Sequence, residues 1–261
     1  MEGFVCPRCG SSLEGAEPLR CTDDGCASVY KVSEGIPDFA DEHEPDGHSR
    51  RMMRLFDLVS SVYETPLWYP LGIRLGSSFS VSVSDVVGSV RRSIEPSSSD
   101  RVLDAACGTG IFARAIAPHV ERVDGVDLSW EMLKEARRRT DDGSTVLARA
   151  DVEKLPYEDE VFDAAVCSGA LHVLPNTRET VKEISRVLKP GGCFAGMTLV
   201  SEGPLSSDVP GSEVLRRGLE ETVGLRIFDV STLSDILADA GFEGFYRKEH
   251  GSILVFRATK T

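Results

Sequence analysis

Arg101-Val102-Leu103-Asp104-Ala105-Ala106-Cys107-Gly108-Thr109-Gly110 reads as a short apolar strand that ends in a carboxylate and enters a glycine-punctuated turn. Ile111, Phe112, Ala115 and Ile116 follow at helical spacing. Gly108 and Gly110 carry no Cβ, so backbone can approach a ligand closely there. The first N–H groups of the following helix lack partners within it and can meet polar ligand atoms. This strand–turn–helix predicts a cofactor site of the open α/β type. The turn alone is ambiguous, because Gly108 to Ala113 also fits the G-x-G-x-x-A dinucleotide pattern, with Asp127 as the later acidic residue.

The flanking segments resolve that ambiguity. Val123-Asp124-Gly125-Val126-Asp127-Leu128-Ser129 reads as a second strand with a carboxylate at its end, followed by an amphipathic helix through Met132, Leu133 and Ala136. Ala148-Arg149-Ala150-Asp151-Val152-Glu153-Lys154-Leu155-Pro156 comes next, then Phe162-Asp163-Ala164-Ala165-Val166-Cys167-Ser168-Gly169-Ala170-Leu171-His172. The fourth segment is Arg186-Val187-Leu188-Lys189-Pro190-Gly191-Gly192. In order and spacing these segments resemble the class I S-adenosylmethionine-dependent methyltransferases over about residues 100–200, and more loosely to the C-terminus. A nicotinamide dehydrogenase has no reason to carry the third and fourth.

That resemblance implies an α/β, Rossmann-like, seven-stranded, mostly parallel sheet with helices on both faces. It also implies S-adenosyl-L-methionine as cofactor. Asp104, Ala106, Cys107, Gly108 and Gly110 match the motif around the methionine part and one side of the ribose. Asp127 matches the holder of the ribose hydroxyls, and Leu128 packs on the adenine. Asp151 matches the acceptor of the adenine amino group, with Val152 lending backbone. Ser168 and His172 match the strand end where the methyl group points toward substrate. Ala106 stands where the family often has Gly, and an ordinary negative φ is expected for it. His172 is the candidate general base; a structural role for it is the competing reading. No Asn-Pro-Pro-Tyr-type segment stands at 168–171, which disfavours methylation of exocyclic amines.

The N-terminus carries a second signal. Cys6-Pro7-Arg8-Cys9 and Cys21-Thr22-Asp23-Asp24-Gly25-Cys26 form a C-x2-C and a C-x4-C pair. Four such thiolates can surround one Zn²⁺ tetrahedrally, a closed and therefore structural site. Roughly forty residues need a metal or disulfides to stand in for a core. No signal peptide is read, so a cytoplasmic zinc ribbon is favoured over disulfides. The expected organisation is a zinc ribbon at 1–40, a linker at 41–49 and a methyltransferase domain at 50–261. Within the last, 50–95 is a helical lid region and 201–229 a substrate-region insertion. On this division, loss of the metal leaves the cofactor site largely competent.

Composition bounds the partners. The 261 residues carry a net charge of −13, and no apolar run approaches the length of a membrane span. Residues 1–45 hold ten Asp/Glu against three Lys/Arg, whereas phosphate-backbone binding rests on Lys and Arg clusters. The exception is His48-Ser49-Arg50-Arg51-Met52-Met53-Arg54, a short basic patch. Cys107, Cys167 and Cys193 read as small buried hydrophobes. Phe56 to Glu64 resembles the entry segment of quinone C-methyltransferases, where it covers the cofactor and builds the acceptor pocket; Tyr63 is its candidate catalytic residue. A helix is expected from about Phe79 to Ile94, and a closing hairpin over 241–258.

Three functions remain open. The first is methyl transfer to a small, fairly apolar acceptor such as a quinone, lipid precursor or secondary metabolite. Its pocket walls are expected to include Phe56, Tyr63, Trp68, Leu171 and Leu205. The second is methylation of an RNA base, since ribosomal RNA guanine-N1 methyltransferases share the ribbon layout. The third is a non-catalytic cofactor-binding scaffold or regulator.

Overall fold

The computed structural model describes residues 3–40, 47–140, 143–206, 208–209 and 211–261. Residues 41–46 of the expected linker lie outside them, as do the side chains of Arg50 and Arg51. The N-terminal module is a meander of β1 (Leu13–Glu14), β2 (Leu19–Cys21) and β3 (Val29–Tyr30), followed by the hairpin of β4 (Val32–Ser33) and β5 (Ile36–Pro37). The hairpin turn is Glu34-Gly35, both at positive φ (54° and 74°). Such a two-residue turn matches the right-handed twist of its strands.

Helices α1 (Gly47–Val59), α2 (Tyr69–Gly76) and α3 (Val83–Ser93) come next. The expected helix start at Phe79 is corrected to Val83. Ser78 and Phe79 have positive φ, and Ser82 caps the helix reciprocally with Asp85. A capping box satisfies two otherwise unpaired N–H groups, so it sets the start more firmly than apolar spacing does.

The main sheet comprises β6 (Arg101–Ala105), β7 (Arg122–Asp127), β8 (Thr145–Arg149), β9 (Phe162–Ser168), β10 (Leu188–Leu199), β11 (Phe242–His250) and β12 (Ile253–Lys260). Their order is β11-β12-β10-β9-β6-β7-β8. β6 to β10 pair in parallel, while β12 runs antiparallel to β10 and β11 antiparallel to β12. Helices α4 (Ile111–Ile116), α5 (Trp130–Arg139), α6 (Thr177–Val187), α7 (Ser212–Val223) and α8 (Val230–Asp239) complete the described elements. Val102, Leu103 and Ala105 are fully buried although they face alternate sides, as a parallel sheet covered on both faces requires. β6 lies between β9 and β7, so the strand order reverses there. The crevice beyond the carboxyl ends of these strands is where such sheets bind ligands. No helix among the described residues is long and apolar enough to cross a membrane.

The cysteine module packs on the open edge of this sheet. Asp38 bridges Arg149 of β8 in parallel, and Phe39 N donates to Arg149 O at 2.8 Å. Val5 N donates to Pro156 O at 2.9 Å. A run of rings, Tyr30, Phe39, Phe4, Tyr157 and Phe162, passes from the module into the main core with centroids 4.8–5.3 Å apart. Ile36, fully buried, clusters with Cys107, Leu133, Ala136 and Leu147. An edge strand left bare would offer its N–H and C=O groups to other chains; here the module covers it.

Candidate functional site

The principal cavity, about 970 Å³ with its mouth, lies beyond the carboxyl ends of β6, β7 and β9. Ala106, Cys107, Gly108, Asp127, Leu128, Asp151, Val152 and Ser168, all singled out from sequence, line it. The turn after β6 forms its floor. Gly108 has φ +53°, and a Cβ there would meet nothing within 4 Å; it would project into open space where a ligand can sit against backbone.

Asp127 ends β7 with its carboxylate already oriented. Oδ2 accepts from Gly108 N at 2.8 Å and Oδ1 from Ser129 N at 2.9 Å. A carboxylate has about four lone-pair sites, so each oxygen retains capacity for a hydroxyl. Burial pushes the pKa of Asp127 up, opposed by those backbone N–H groups. Asp151 follows β8; its Oδ1 accepts from Glu153 N at 2.9 Å, which orients the carboxylate.

Three expected site residues sit elsewhere. Asp104 is 1% exposed and does not line the cavity; its Oδ2 accepts from Ala113 N at 2.9 Å, tying β6 to α4. Burial raises its pKa to about 7. Gly110, at φ +76°, starts α4 behind the cavity wall, where a Cβ would come within 3.4 Å of Ala136 and Thr140 side chains. His172 is also off the cavity. It is 8% exposed, its Nδ1 lies 3.2 Å from Thr198 Oγ1, and burial lowers its pKa to about 4. Its neutral form is favoured, and it is not among the described residues that line the cavity. Trp68, Leu171, Leu205 and the described residues of the 201–229 interval likewise contribute no wall to the cavity. Leu171 is fully buried in the main core.

Ala106 corrects another expectation. Its φ is +57°, not negative. The turn needs a left-handed residue here, and Ala adopts it at a cost of about 1–2 kcal/mol.

The roof comes from α1 and the segment after it. Met52, Met53, Phe56, Tyr63 and Tyr69 line the cavity. Tyr63 stacks on Tyr69 (5.2 Å, 18°) and meets Phe56 edge-on at 6.3 Å. Burial, then the charges of Asp127 and Glu64, push the Tyr63 hydroxyl well above the ordinary tyrosine range, so it remains a donor. Two acidic residues, Asp57 and Glu64, fasten this roof. Ser129 Oγ donates to Asp57 at 2.5 Å. Glu64 accepts from Thr109 Oγ1 at 2.7 Å and pairs with Arg114 at 2.7 Å and Arg139 at 3.2 Å. Glu64 and Asp57 fall in the entry segment read from sequence, yet nothing in periodicity marks which of its polar residues turn inward. Val173, Leu174 and Pro175 add an apolar stretch to the lining. No Lys, Arg or His occurs among the described lining residues.

The four N-terminal cysteines converge. One sulphur from each of Cys6, Cys9, Cys21 and Cys26 lies within 4.8 Å of all the others. Cys6–Cys26 and Cys9–Cys21 sulphurs are 3.7 and 3.4 Å apart. Tetrahedral Zn–S bonds of about 2.3 Å place ligand sulphurs about 3.8 Å apart, so the set suits a tetrahedral thiolate-loving metal. Tyr30 Oη lies 3.1 Å from Cys6 Sγ and Ser28 Oγ 3.2 Å from Cys26 Sγ, contacts that orient the sulphurs.

Residues 103–196 match a family model described as a methyltransferase domain. An uncharacterised chloroplastic methyltransferase of Arabidopsis thaliana is 32% identical over 177 residues, covering 64% of this chain and 50% of that protein. A demethylmenaquinone methyltransferase of Clavibacter sepedonicus is 36% identical over 141 residues, covering 53% and 54%. The chain thus spans about half the length of these curated relatives. The crystal structure of an S-adenosylmethionine-dependent methyltransferase from Mesorhizobium loti superposes with a TM-score of 0.54 at 24% identity, over 65% of this chain and 95% of that one. The strand order and these matches agree: residues 103–196 carry a methyltransferase domain, on the fold of the S-adenosylmethionine-dependent methyltransferases.

Proposed function

We propose that this protein methylates a small, fairly apolar acceptor, of the quinone, lipid or secondary-metabolite kind. The observation that carries the reading is the cavity lining itself. Beside Asp127, Asp151 and Glu153 the wall includes Met52, Met53, Phe56, Val173, Leu174 and Pro175, and no Lys, Arg or His is among the described lining residues. A polyanionic substrate needs Lys or Arg near its phosphates, whereas an apolar or aromatic one needs a cavity of this lining.

When bound, S-adenosylmethionine would supply an already activated sulfonium methyl group for transfer to the acceptor. The chain's residues hold and exclude. Asp127 and the Gly108 backbone take the ribose hydroxyls. Asp151, Leu128 and Val152 take the adenine. The tyrosine-lined roof keeps water out. Orientation of this kind lowers a bimolecular barrier substantially. The acceptor's proton leaves without help from His172, whose ring is buried away from the cavity.

Cys6, Cys9, Cys21 and Cys26 would hold one structural Zn²⁺ in a reducing, cytoplasmic setting, where it supplies a cross-link and no open coordination position. Incubation of the protein with methyl-labelled S-adenosylmethionine, a cellular lipid and quinone extract, and total RNA tests the assignment. Label is expected in the organic-soluble fraction. Label confined to RNA would replace this reading with base methylation, and label in neither would favour the non-catalytic one.

A further inference from the structure

Among the buried polar side-chain atoms, two that line the cavity have no hydrogen-bond partner: Tyr69 Oη and Ser168 Oγ. A buried hydroxyl left unsatisfied is costly, and native proteins rarely leave one unless a ligand completes it. Two at one place mark a ligand contact.

Their place in the fold shows which ligand. Asp151 follows β8, Asp127 ends β7, the glycine turn follows β6, and Ser168 ends β9. Neighbouring strands lie about 4.8 Å apart, so the cavity crosses three strand spacings from its adenine end to Ser168. The cofactor's polar anchors occupy the β8–β7 side. Ser168 stands at the opposite limit. Tyr69 comes down on the same limit from the roof, at the start of α2. Gly169, at φ +78°, links them: a Cβ on it would lie 3.7 Å from Tyr69 Cε2 and 4.0 Å from its hydroxyl. The apolar wall of Met52, Met53 and Phe56 adjoins Tyr69.

We propose that Tyr69 and Ser168 together bind an oxygen of the methyl acceptor, a neutral phenol, hydroxyl or carbonyl, and so select oxygen-bearing aromatics over plain hydrocarbons. This rests on the small apolar acceptor proposed above. Neutrality follows from the surroundings. No Lys, Arg or His is among the described residues that line the cavity, whereas the carboxylates of Asp127, Asp151 and Glu153 do line it, which disfavours an anion. Burial holds the Tyr69 hydroxyl far above its ordinary range, so it stays a donor. A serine hydroxyl donates or accepts as required. The pair thus accommodates a carbonyl, which takes two donors, and a phenol, which gives one and takes one.

The test uses the full chain saturated with S-adenosylhomocysteine, titrated with 1-naphthol and with naphthalene and followed by NMR. Wild-type protein is expected to prefer 1-naphthol by about ten-fold, as one or two satisfied hydrogen bonds imply. Tyr69→Phe and Ser168→Ala should each erase most of that preference. Calorimetry should find their affinity for S-adenosylhomocysteine within about two-fold of wild type. Equal binding of the two probes by wild-type protein overturns the hydroxyl pair and leaves the apolar pocket standing. A preference that survives both substitutions also overturns it. Loss of S-adenosylhomocysteine affinity with the probe preference intact assigns the hydroxyls to the cofactor instead. Binding of neither probe removes the small apolar acceptor reading and this inference together.

Discussion

Two N-terminal segments converge on the cofactor turns, and they are built in opposite ways. The cysteine module is joined to the sheet by backbone, Phe39 N to Arg149 O and Val5 N to Pro156 O, and by a run of tilted rings. Among its described large apolar residues only Val29 is conspicuously exposed. The roof is held instead by side-chain ends, Asp57 on Ser129 and Glu64 on Thr109, Arg114 and Arg139. Of the large apolar residues exposed in the described structure, Leu58, Val62, Leu67, Trp68, Leu71, Leu75 and Phe79 all belong to it. Segments with few buried apolar contacts open at low free energy, and a cavity roofed in this way must open to exchange a cofactor. The expectation is that the module fixes the site and the roof gates it.

Metal removal should break this comparison most severely. With chelator, or in Cys9→Ser, the module loses its cross-link, and Phe4, Tyr30, Ile36 and Phe39 lose their packing. Structural zinc is worth on the order of 10 kcal/mol to modules that depend on it. Because Ile36 packs on Cys107 and Leu133, and Asp38 on Arg149, the loss should reach the cofactor site. We expect S-adenosylhomocysteine affinity to fall more than about ten-fold, measured by calorimetry on protein of known zinc content. Unchanged affinity in zinc-free protein would restore the module to the independent status its cysteine spacing suggests.

Asp38→Asn probes the same connection at one point. Arg149 pairs with Asp38 at 3.0 Å, with both side chains largely buried, donates from Nε to Leu128 O at 2.9 Å, and lies over the Trp130 ring. Removing the carboxylate leaves a buried guanidinium undercompensated, at a cost of about 2–3 kcal/mol. The expected result is a lower thermal midpoint together with weaker S-adenosylhomocysteine binding, because Leu128 lines the cavity. A lower midpoint with unaltered binding would confine the pair to fold stability.

Glu64→Gln addresses the roof. Its partners are a fifth to a third exposed, so solvent screens the pairing, and the cost is about 1 kcal/mol. The effect should show in kinetics: S-adenosylhomocysteine should dissociate about five-fold faster, with the thermal midpoint nearly unchanged. A slower or equal dissociation rate would mean that the roof does not gate the site.

The contrast also explains what the sequence made legible. The strand–turn–helix at 101–116, the carboxylates at 127 and 151 and the cysteine pairs are local patterns whose chemistry depends on spacing of a few residues. The sequence divides the chain at the linker, yet the structure seats Phe39 beside Arg149, more than a hundred residues away. No local pattern encodes that pairing. His172 follows the strand end as expected, but which way a side chain turns there depends on Thr198, one strand over. Tyr69 lies within the aromatic stretch read from sequence; only the fold brings it to Ser168.

The smallest expected effect concerns the turn on which both segments close. Ala106 holds φ +57° between β6 and Gly108, a conformation that costs an L-residue about 1–2 kcal/mol. Glycine removes that cost but adds backbone freedom to the unfolded chain, worth about 0.4–1 kcal/mol in the opposite direction. The balance for Ala106→Gly is a gain of about 0.5 kcal/mol, or about 1–2 °C in thermal midpoint for a domain of this size. Ala106 also lines the cavity, so removing its methyl group does not obstruct the cofactor, and S-adenosylhomocysteine affinity should hold. A fall in midpoint of more than about 2 °C would mean that contacts of the Ala106 methyl group outweigh the backbone strain. The strain would then be a property tolerated for packing, and the turn would be held by its neighbours, the module on one side and the roof on the other, more than by its own glycines.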